Sequence, residues 1–471
     1  MPRGARSIAI VGAGFSGTLM AIHLLPRARG GDRIYLFEQA PPFARGVAYG
    51  TDDPLHLLNV GAAGLGALED HPRGFLDWLN SPASGDLGGL RRPLAADAFV
   101  SRMLYGRYLQ HCLHEVLSSA RRGRHFRPVT DEVVDIEELG SGLTVRVRDG
   151  RSFAVDSAVV ATGNRPPDDV ALPCYVGNPW NPGATLGIDP SADVLLIGTG
   201  LTMVDVVLSL VGQGHEGRIH AVSRRGLLPR TQAPESALPA WRIATPLPPT
   251  ALGLLQAVRA EVAVAAAHGR PWQDVVQALR PRSQALWQSL DAQERRRFLR
   301  HLRPWWEVHR HRLAPSVSAH LDRLLKSGQL SVRAGRIDEQ LLEGDRLVVR
   351  VRARGSRTVE ELSVARVINC SGPRTDCADP GSPLLRALLA RGLARPDGHG
   401  LGLEVDQGCA LLDRHGEPSE RLFALGPVTR GTFWEITAVP EIRRRCATLA
   451  ADLMRASAAE PAARPRLAVG L

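Results

Sequence analysis

The sequence predicts an α/β protein in which two similar strand–turn–helix–strand units are nested and a block of extra helices is added. Three observations carry this expectation. An apolar strand, Ile8-Ala9-Ile10-Val11, runs into a G-x-G-x-x-G turn at Gly12, Gly14 and Gly17. Far along the chain a second strand, Val194-Leu195-Leu196-Ile197, runs into Gly198-Thr199-Gly200. Two further apolar strands end in a small residue and a glycine, Ala161-Thr162-Gly163 and Cys370-Ser371-Gly372, and they bracket the second unit. Strand, glycine turn and helix in that order make the βαβ pattern of a dinucleotide-binding domain. The expected fold is therefore two Rossmann-like domains, the second inserted in the first.

Taken in order, residues 7–40 read as strand, turn, a helix from Thr18 to about Arg29, and the strand Arg33–Glu38. Residues 41–80 are loop-rich, and Ser81–Pro93 is a Pro/Gly/Ser stretch expected at the surface. Phe99–Ser118 carries helical spacing of apolar residues, and strands follow at Thr144–Arg148 and Ser157–Ala161. The first domain is thus expected over 1–165, and the second opens over 190–250 with a helix from Thr202 to Val211. Residues 251–326 break the α/β rhythm with long helical patterns, among them Trp287–Leu302, and with tryptophans at 287, 305 and 306. They read as a helical insertion. Strands at Leu347–Arg354 and Val364–Asn369 complete the second domain over 327–365. Residues 366–456 return to the first domain, and the Ala/Pro/Arg-rich tail 457–471 is expected to be disordered.

The residue type after each turn separates the two sites. In the first, Gly12 permits the tight turn and Gly14 lets the backbone approach a pyrophosphate. Gly17 brings helix against strand, with Phe15 and Ser16 between them at the helix N-terminus. Glu38 closes the next strand at the distance where an acid holds a free ribose diol, which points to FAD, with Thr162 and Gly163 at the same strand ends. In the second, Gly198, Gly200 and Thr202 form the turn, Met203 stands where a third small residue is common, and the next strand ends in Ser223-Arg224-Arg225. Two arginines there suit a 2′-phosphate through bidentate, charge-assisted hydrogen bonds, which points to NADPH.

Composition removes other classes. The formal net charge is +10, yet the arginines are spread throughout with no dense run among aromatics, so no nucleic-acid partner is expected. Lys326 is the sole lysine and lies outside any Gly-Lys-Ser/Thr loop, so a phosphate-binding P-loop is absent. The cysteines never form C-x-x-C, which argues against a redox dithiol and for a reducing compartment. The apolar N-terminal stretch is the first strand rather than a signal peptide, and no run of about 18 apolar residues appears. A cytoplasmic protein with no membrane partner is expected. His309 and His311, two apart on a helix, point to opposite sides, so no metal site is expected there. No G-x-S-x-G elbow is present either.

Two segments resemble the signatures of a bacterial family of FAD/NAD(P)-binding proteins. They are Arg45-Gly46-Val47-Ala48-Tyr49-Gly50-Thr51-Asp52-Asp53-Pro54-Leu55-His56-Leu57-Leu58-Asn59-Val60 and the longer Leu425–Arg443, which contains Gly426-Pro427-Val428-Thr429-Arg430-Gly431-Thr432-Phe433-Trp434-Glu435. The resemblance spans nearly the whole chain. That family is related to class B flavin monooxygenases and amino-acid N-hydroxylases. The resemblance implies that Gly46, Tyr49, His56, Leu58 and Asn59 lie near the isoalloxazine, and Gly426 and Thr429 near the ribityl chain and flavin edge. Pro427 stands where many related flavoproteins have Asp. Gly61 and Gly64-Leu65-Gly66 replace the usual Pro-Ala and Met-Ser pattern, which is expected to loosen that loop. Tyr175-Val176-Gly177-Asn178-Pro179-Trp180 only faintly echoes the F-x-G-x-x-x-H-x-x-x-W/F fingerprint of Baeyer–Villiger and N-hydroxylating enzymes.

Together these readings imply an NADPH-dependent flavin monooxygenase that takes O2 and a small polar substrate, with the amine of an amino-acid-like compound as the oxidised group. Arg303, His309, Arg310 and Arg312 in the helical insertion are the candidate substrate-binding residues, chosen because they suit a carboxylate. A reductase passing hydride to a small acceptor and a non-catalytic flavin sensor are the alternatives.

Overall fold

The computed structural model describes residues 5–455, apart from 168, 234–238 and 377–380; the tail expected to be disordered lies outside the described residues. Strand β1 (Ser7–Val11) enters the glycine turn and helix α1 (Phe15–Leu24), which Pro26 converts into a short 3-10 turn. Strand β2 (Arg33–Glu38) follows, then the single-turn helix α2 (Gly46–Tyr49) and helix α3 (Arg102–Ser118), whose N-terminus Ser101 caps by accepting from Met103 N–H. Strand β3 (Phe126–Thr130) leads into an antiparallel ribbon of β4 (Val133–Leu139), β5 (Gly142–Val147) and β6 (Ser152–Val155), and β7 (Ser157–Val160) returns to the first sheet.

Beyond β7 the chain crosses over. Strand β8 (Tyr175–Val176), β9 (Val194–Ile197), helix α4 (Leu201–Gly212) and β10 (Ile219–Ser223) start the second domain. The insertion then contributes α5 (Ala251–Ala267), α6 (Trp272–Leu279), α7 (Ser283–Ser289), α8 (Ala292–Arg297), a π-helical turn at Phe298–Leu302, and α9 (Arg303–Arg310). Helix α10 (Pro315–Ser327) leads to the long β11 (Leu330–Glu343), β12 (Arg346–Ala353), β13 (Val359–Val364) and β14 (Arg366–Asn369). Helix α11 (Pro383–Arg391), β15 (Ala410–Leu412), β16 (Pro418–Ala424) and helix α12 (Val439–Arg455) complete the first domain.

Sheet order records the nesting. The first sheet runs β15-β16-β7-β1-β2-β3, so β16 lies parallel beside β7 although the whole second domain separates them in sequence. The second runs β13-β12-β11-β10-β9-β14-β8, parallel from β11 to β8 and antiparallel at the β11–β13 end. The parallel strands are apolar on both faces because helices cover both. Each sheet has its own core: β1, α1, α3 and α12 pack around the first, and β9, α4 and α10 around the second.

Three boundaries differ from the sequence reading. Strand β14 belongs to the second sheet, so 366–369 pair with Val194–Ile197 rather than with the first domain. Helix α10, placed by sequence within the insertion, buries Val317, Leu321 and Leu324 in the second domain's core, as the crossover helix between β10 and β11. The helix expected over Trp287–Leu302 breaks at Leu290, whose backbone is extended, and restarts where the Asp291 carboxylate accepts from Glu294 N–H at 2.8 Å. The loop around residue 61 is also tighter than expected. A Cβ on Gly61 would sit 2.8 Å from Asp97 Cα, and one on Gly66 would run into the His71 carbonyl oxygen, so both glycines mark close backbone approach. Only Gly64 is open.

Candidate functional site

The first turn is shaped by close backbone approach and by side chains that fasten its ends. Gly12 has φ +99°, donates its N–H to the Phe37 carbonyl at 2.9 Å, and crosses the end of β7 so closely that a Cβ would lie 2.6 Å from the Ala161 oxygen. A Cβ on Gly17 would run into the Gly12 carbonyl. Gly14 is different. Its φ is −69° and its only near neighbour is Gly46 Cα, at 3.6 Å from an added Cβ, so neither conformation nor internal packing demands glycine there. Glu38 accepts from Ala13 N–H at 2.8 Å, tying the β2 end to the turn. Gly426, at φ +78°, packs its backbone on the Ser16 side chain, and Thr429 donates to the Gly426 carbonyl at 2.8 Å. Tyr49 stands edge-on to Phe15 at 5.5 Å and beside Tyr105 at 4.6 Å; burial pushes its phenol up to about 12. Thus Gly12, Gly14, Phe15, Ser16, Gly17, Glu38, Gly46, Tyr49, Gly426 and Thr429 gather at one end of the first sheet.

The second turn repeats this geometry. Gly198 has φ +110°, donates to the Val222 carbonyl at 2.7 Å, and packs against the Cys370 carbonyl at the end of β14. Gly200 has ordinary φ, and a Cβ on it would meet nothing within 4 Å. Met203, in place of a third small residue, is fully buried. Thr199 Oγ1 donates to the Leu227 carbonyl at 2.6 Å and bonds Ser223 Oγ at 2.9 Å, fixing the β10 end beside the turn. Arg224 is exposed, and among the described residues Arg225 reaches only the Arg300 carbonyl, at 3.4 Å. The two crossovers match as well: Gly163 (φ +70°) and Gly372 (φ +96°) follow β7 and β14, and Arg165 and Arg374 form an antiparallel bridge between the connections.

Between the domains lies a polar network that spans α4 and the 51–59 segment. Ser209 Oγ donates to Asp53 Oδ2 at 2.5 Å, which leaves it to accept from His56 Nε2 at 2.8 Å; His56 Nδ1 then accepts from Thr51 Oγ1 at 2.8 Å. Arg102 Nη2 pairs with buried Asp205 at 2.8 Å and its Nε donates to the Leu57 carbonyl at 3.2 Å. Burial raises the Asp205 carboxyl, with Arg102 opposing. Trp180 stands edge-on to His56 at 5.8 Å, so the 175–180 segment serves this junction. His56 is thus committed to the second domain, whereas Leu58 and Asn59 line a cavity beside Arg102, Asp205 and Leu201. Asp53, Arg102, Asp205 and Ser209 were missed in the sequence. One signal was available: Asp205 is an acid inside the apolar run Met203–Leu210.

The arginines of the insertion divide by partner. Arg303 pairs with Glu307 at 2.8 Å, and Arg430 reaches the same carboxylate at 3.2 Å. Arg310 pairs with Glu435 at 3.0 Å in a nearly solvent-free site, where Trp306 Nε1 donates to Glu435 Oε1 at 2.8 Å. Glu435 has φ +69°, a left-handed backbone costly for any residue but glycine. His309 Nδ1 bonds the Trp305 carbonyl and its ring meets Trp272 edge-on at 4.8 Å; burial lowers the His311 imidazole. Trp287 stacks on Trp434 at 4.9 Å and donates Nε1–H to the Gly431 carbonyl at 2.7 Å, so the insertion is anchored to the 430–435 segment. Arg303 and Arg310 are therefore held by carboxylates and His309 Nδ1 by a backbone carbonyl, whereas Arg312 has no carboxylate partner among the described residues. No three His, Cys, Asp or Glu side chains converge as a metal site among the described residues.

Residues 9–165 match a family model described as FAD-NAD(P)-binding. No curated relative matches the chain by sequence. Among solved structures, ornithine hydroxylase from Pseudomonas aeruginosa aligns at 16% identity with a TM-score of 0.65, covering 96% of this chain and 99% of that one. L-lysine 6-monooxygenase from Pseudomonas syringae aligns at 17% identity with a TM-score of 0.66, over 96% and 99% of the two chains. Thioredoxin reductase from Lactococcus lactis aligns at 11% identity and a TM-score of 0.52, over 95% and 99%. The first domain thus matches an FAD-NAD(P)-binding model, and the whole chain shares the fold of these solved structures.

Proposed function

We propose that the chain is an NADPH-dependent FAD monooxygenase that transfers one oxygen atom of O2 to the amine of a small amino-acid-like substrate, in the cytoplasm. The observation that carries the reading is the pair of open glycines, Gly14 and Gly200. Each sits at the N-terminus of a helix, at ordinary φ; a Cβ would make one ordinary 3.6 Å contact at Gly14 and meet nothing within 4 Å among the described residues at Gly200. Nothing among the described residues requires glycine at either place, so the bare backbone there suits a pyrophosphate approaching the helix end. The residues beyond the turns sort the two nucleotides. Glu38 keeps lone pairs for ribose hydroxyls in addition to the Ala13 and Gln39 contacts, and exposed Arg224 has no partner among the described residues to give up for a 2′-phosphate. No helix among the described residues is long and apolar enough to cross a membrane.

Bound FAD supplies hydride acceptance from NADPH and electron delivery to O2. The protein's share is placement and exclusion of water. Gly426 packs its backbone on Ser16 at the start of α1, beside the turn that would hold FAD, and Leu57, Leu201 and Leu313 line the cavity between the two domains. The reaction balances as RNH2 + O2 + NADPH + H⁺ giving RNHOH + H2O + NADP⁺. Structural neighbours whose names describe ornithine and lysine oxygenation support the amine as acceptor. The test reduces the FAD-loaded protein with NADPH without oxygen, then admits air with candidate amino acids and amines. Hydroxylamine formation in step with NADPH use is expected. NADPH use that yields only hydrogen peroxide with every amine, or that an organic acceptor sustains without oxygen, would overturn the reading in favour of a reductase.

A further inference from the structure

Arg312 is anomalous among the buried arginines. It is 4% exposed, yet it makes no ion pair among the described residues and its Nε has no hydrogen-bond partner. Its Nη1 reaches only the Gln273 carbonyl, at 3.4 Å. The nearby carboxylate, Asp274, is spent on Arg270 at 2.5 Å. What faces Arg312 instead is positive or neutral: Arg310 and Arg280 stand near it, each with its own glutamate, and the Trp272 ring lies 5.8 Å away. Surrounded so, burial and like charge draw this guanidinium down to about 10. A buried guanidinium without an anion is costly, and a protein retains one where an anion completes it.

Its position says which anion. Arg312 lines the cavity between the 57–59 segment and the first half of α4, together with Asn59, Arg102, Asp205, Leu201 and Leu313. Arg102 and Asp205 cancel, so the wall carries one net positive charge. The edge formed by Nε and Nη2 has no protein acceptor among the described residues, and it is a fork of two parallel N–H donors, the geometry that matches a carboxylate. We propose that Arg312 binds the carboxylate of a small anionic substrate in this interdomain cavity. Calling the ligand a substrate rests on the monooxygenase reading; the anion site itself does not. The free space is about 20 Å³, near one water, so the aliphatic rim must yield by rotamer changes to admit a carboxylate.

Binding without turnover tests this. FAD-loaded protein, with no NADPH, is titrated with acetate, β-alanine, ethylamine and chloride while the visible flavin spectrum and the melting temperature are followed. Acetate and β-alanine are expected to give saturable changes in both, with ethylamine inert and chloride at least tenfold weaker. Arg312→Gln should lose at least tenfold in apparent affinity for both carboxylates, and Arg312→Lys, which keeps the charge but not the fork, should fall between. Chloride acting as well as acetate would mark an inorganic-anion pocket only and overturn the proposal. So would wild-type affinity in Arg312→Gln, or no saturable response to any carboxylate in the wild type. Should Arg312→Gln fail to fold, Arg312→Lys and the wild-type acetate-to-chloride ratio decide. Failure to form a hydroxylamine would sink the monooxygenase reading while leaving these binding curves unaffected.

Discussion

Replacing Gly14 and Gly12 separately by alanine distinguishes a turn that exists for a ligand from one that exists for the fold. At Gly14 the added methyl would find φ −69° and one neighbour at 3.6 Å, an ordinary contact. The fold should lose only the difference between glycine and alanine at a helix N-cap, about 1 kcal/mol or less. FAD should suffer more, because the methyl occupies the face a pyrophosphate must reach. Losing one charge-assisted hydrogen bond costs about 1.5–3 kcal/mol, or roughly ten- to hundredfold in affinity. At Gly12 the methyl would sit 2.6 Å from the Ala161 oxygen at φ +99°. Left-handed strain of about 1–2 kcal/mol and overpacking of about 1–3 kcal/mol should destabilise the apoprotein by about 2–5 kcal/mol. Urea unfolding of both apoproteins, with fluorescence titration of FAD, reads the two effects apart. A Gly14→Ala protein that binds FAD like the wild type refutes the reasoning for that site; a Gly12→Ala apoprotein of wild-type stability refutes the geometry.

Three further outcomes follow from the same coordinates. Arg224→Ala should lower the kcat/KM ratio of NADPH to NADH by roughly ten- to hundredfold, since one charge-assisted contact is removed; an unchanged ratio in steady-state kinetics would remove the 2′-phosphate assignment. Arg102→Ala should destabilise the protein by about 3–5 kcal/mol by leaving Asp205 buried and unpaired. Burial already holds the folded-state pKa of Asp205 above its unfolded value, and loss of Arg102 raises it further, so the folded variant takes up the proton first. Its deficit should therefore shrink as pH falls from about 8 to about 5, and denaturant midpoints that keep a constant gap would contradict this. Glu435→Ala should cost about 3–5 kcal/mol by orphaning Arg310, while Glu435→Gly should recover about 1 kcal/mol because glycine accepts φ +69°. Calorimetry that ranks alanine above glycine would count against the strain.

Much of the fold was open to reading because parallel strands buried on both faces are uniformly apolar and glycine turns punctuate them. Ile8–Val11 and Val194–Ile197 announce themselves that way. The boundaries between nested domains do not. Val367 and Ile368 would be as apolar in either sheet, and only the pairing with Leu195 and Leu196 assigns them. Helix α10 carries the same spacing of apolar residues as the insertion helices, since a crossover helix and an inserted one both bury a single stripe. The break at Leu290 was legible in principle, because Asp291 followed by Glu294 is an N-terminal capping pattern.

The site was less legible, and the reason is partner choice. Arg303, His309, Arg310 and Arg312 crowd one short stretch, and helical geometry alone tells which faces they occupy, not which carboxylates wait there. Glu307 takes Arg303 from one turn away on the same helix, a pair the i,i+4 spacing already offers, whereas Glu435 withdraws Arg310 through a contact that arises only when the insertion docks on the 430–435 segment. That docking also explains why Arg312 differs from its neighbours. Helix α9 is fastened to the first domain through Trp306 and Arg310, and α10 is fastened into the core of the second. The residues joining them must pass across the junction, and they do so with Leu313 hydrogen-bonded to Arg230 and Gln232 at 2.8 and 2.9 Å. Arg312 is therefore carried to the place where the two nucleotide-type domains meet by the connectivity of the insertion, while each carboxylate that might have neutralised it is held elsewhere.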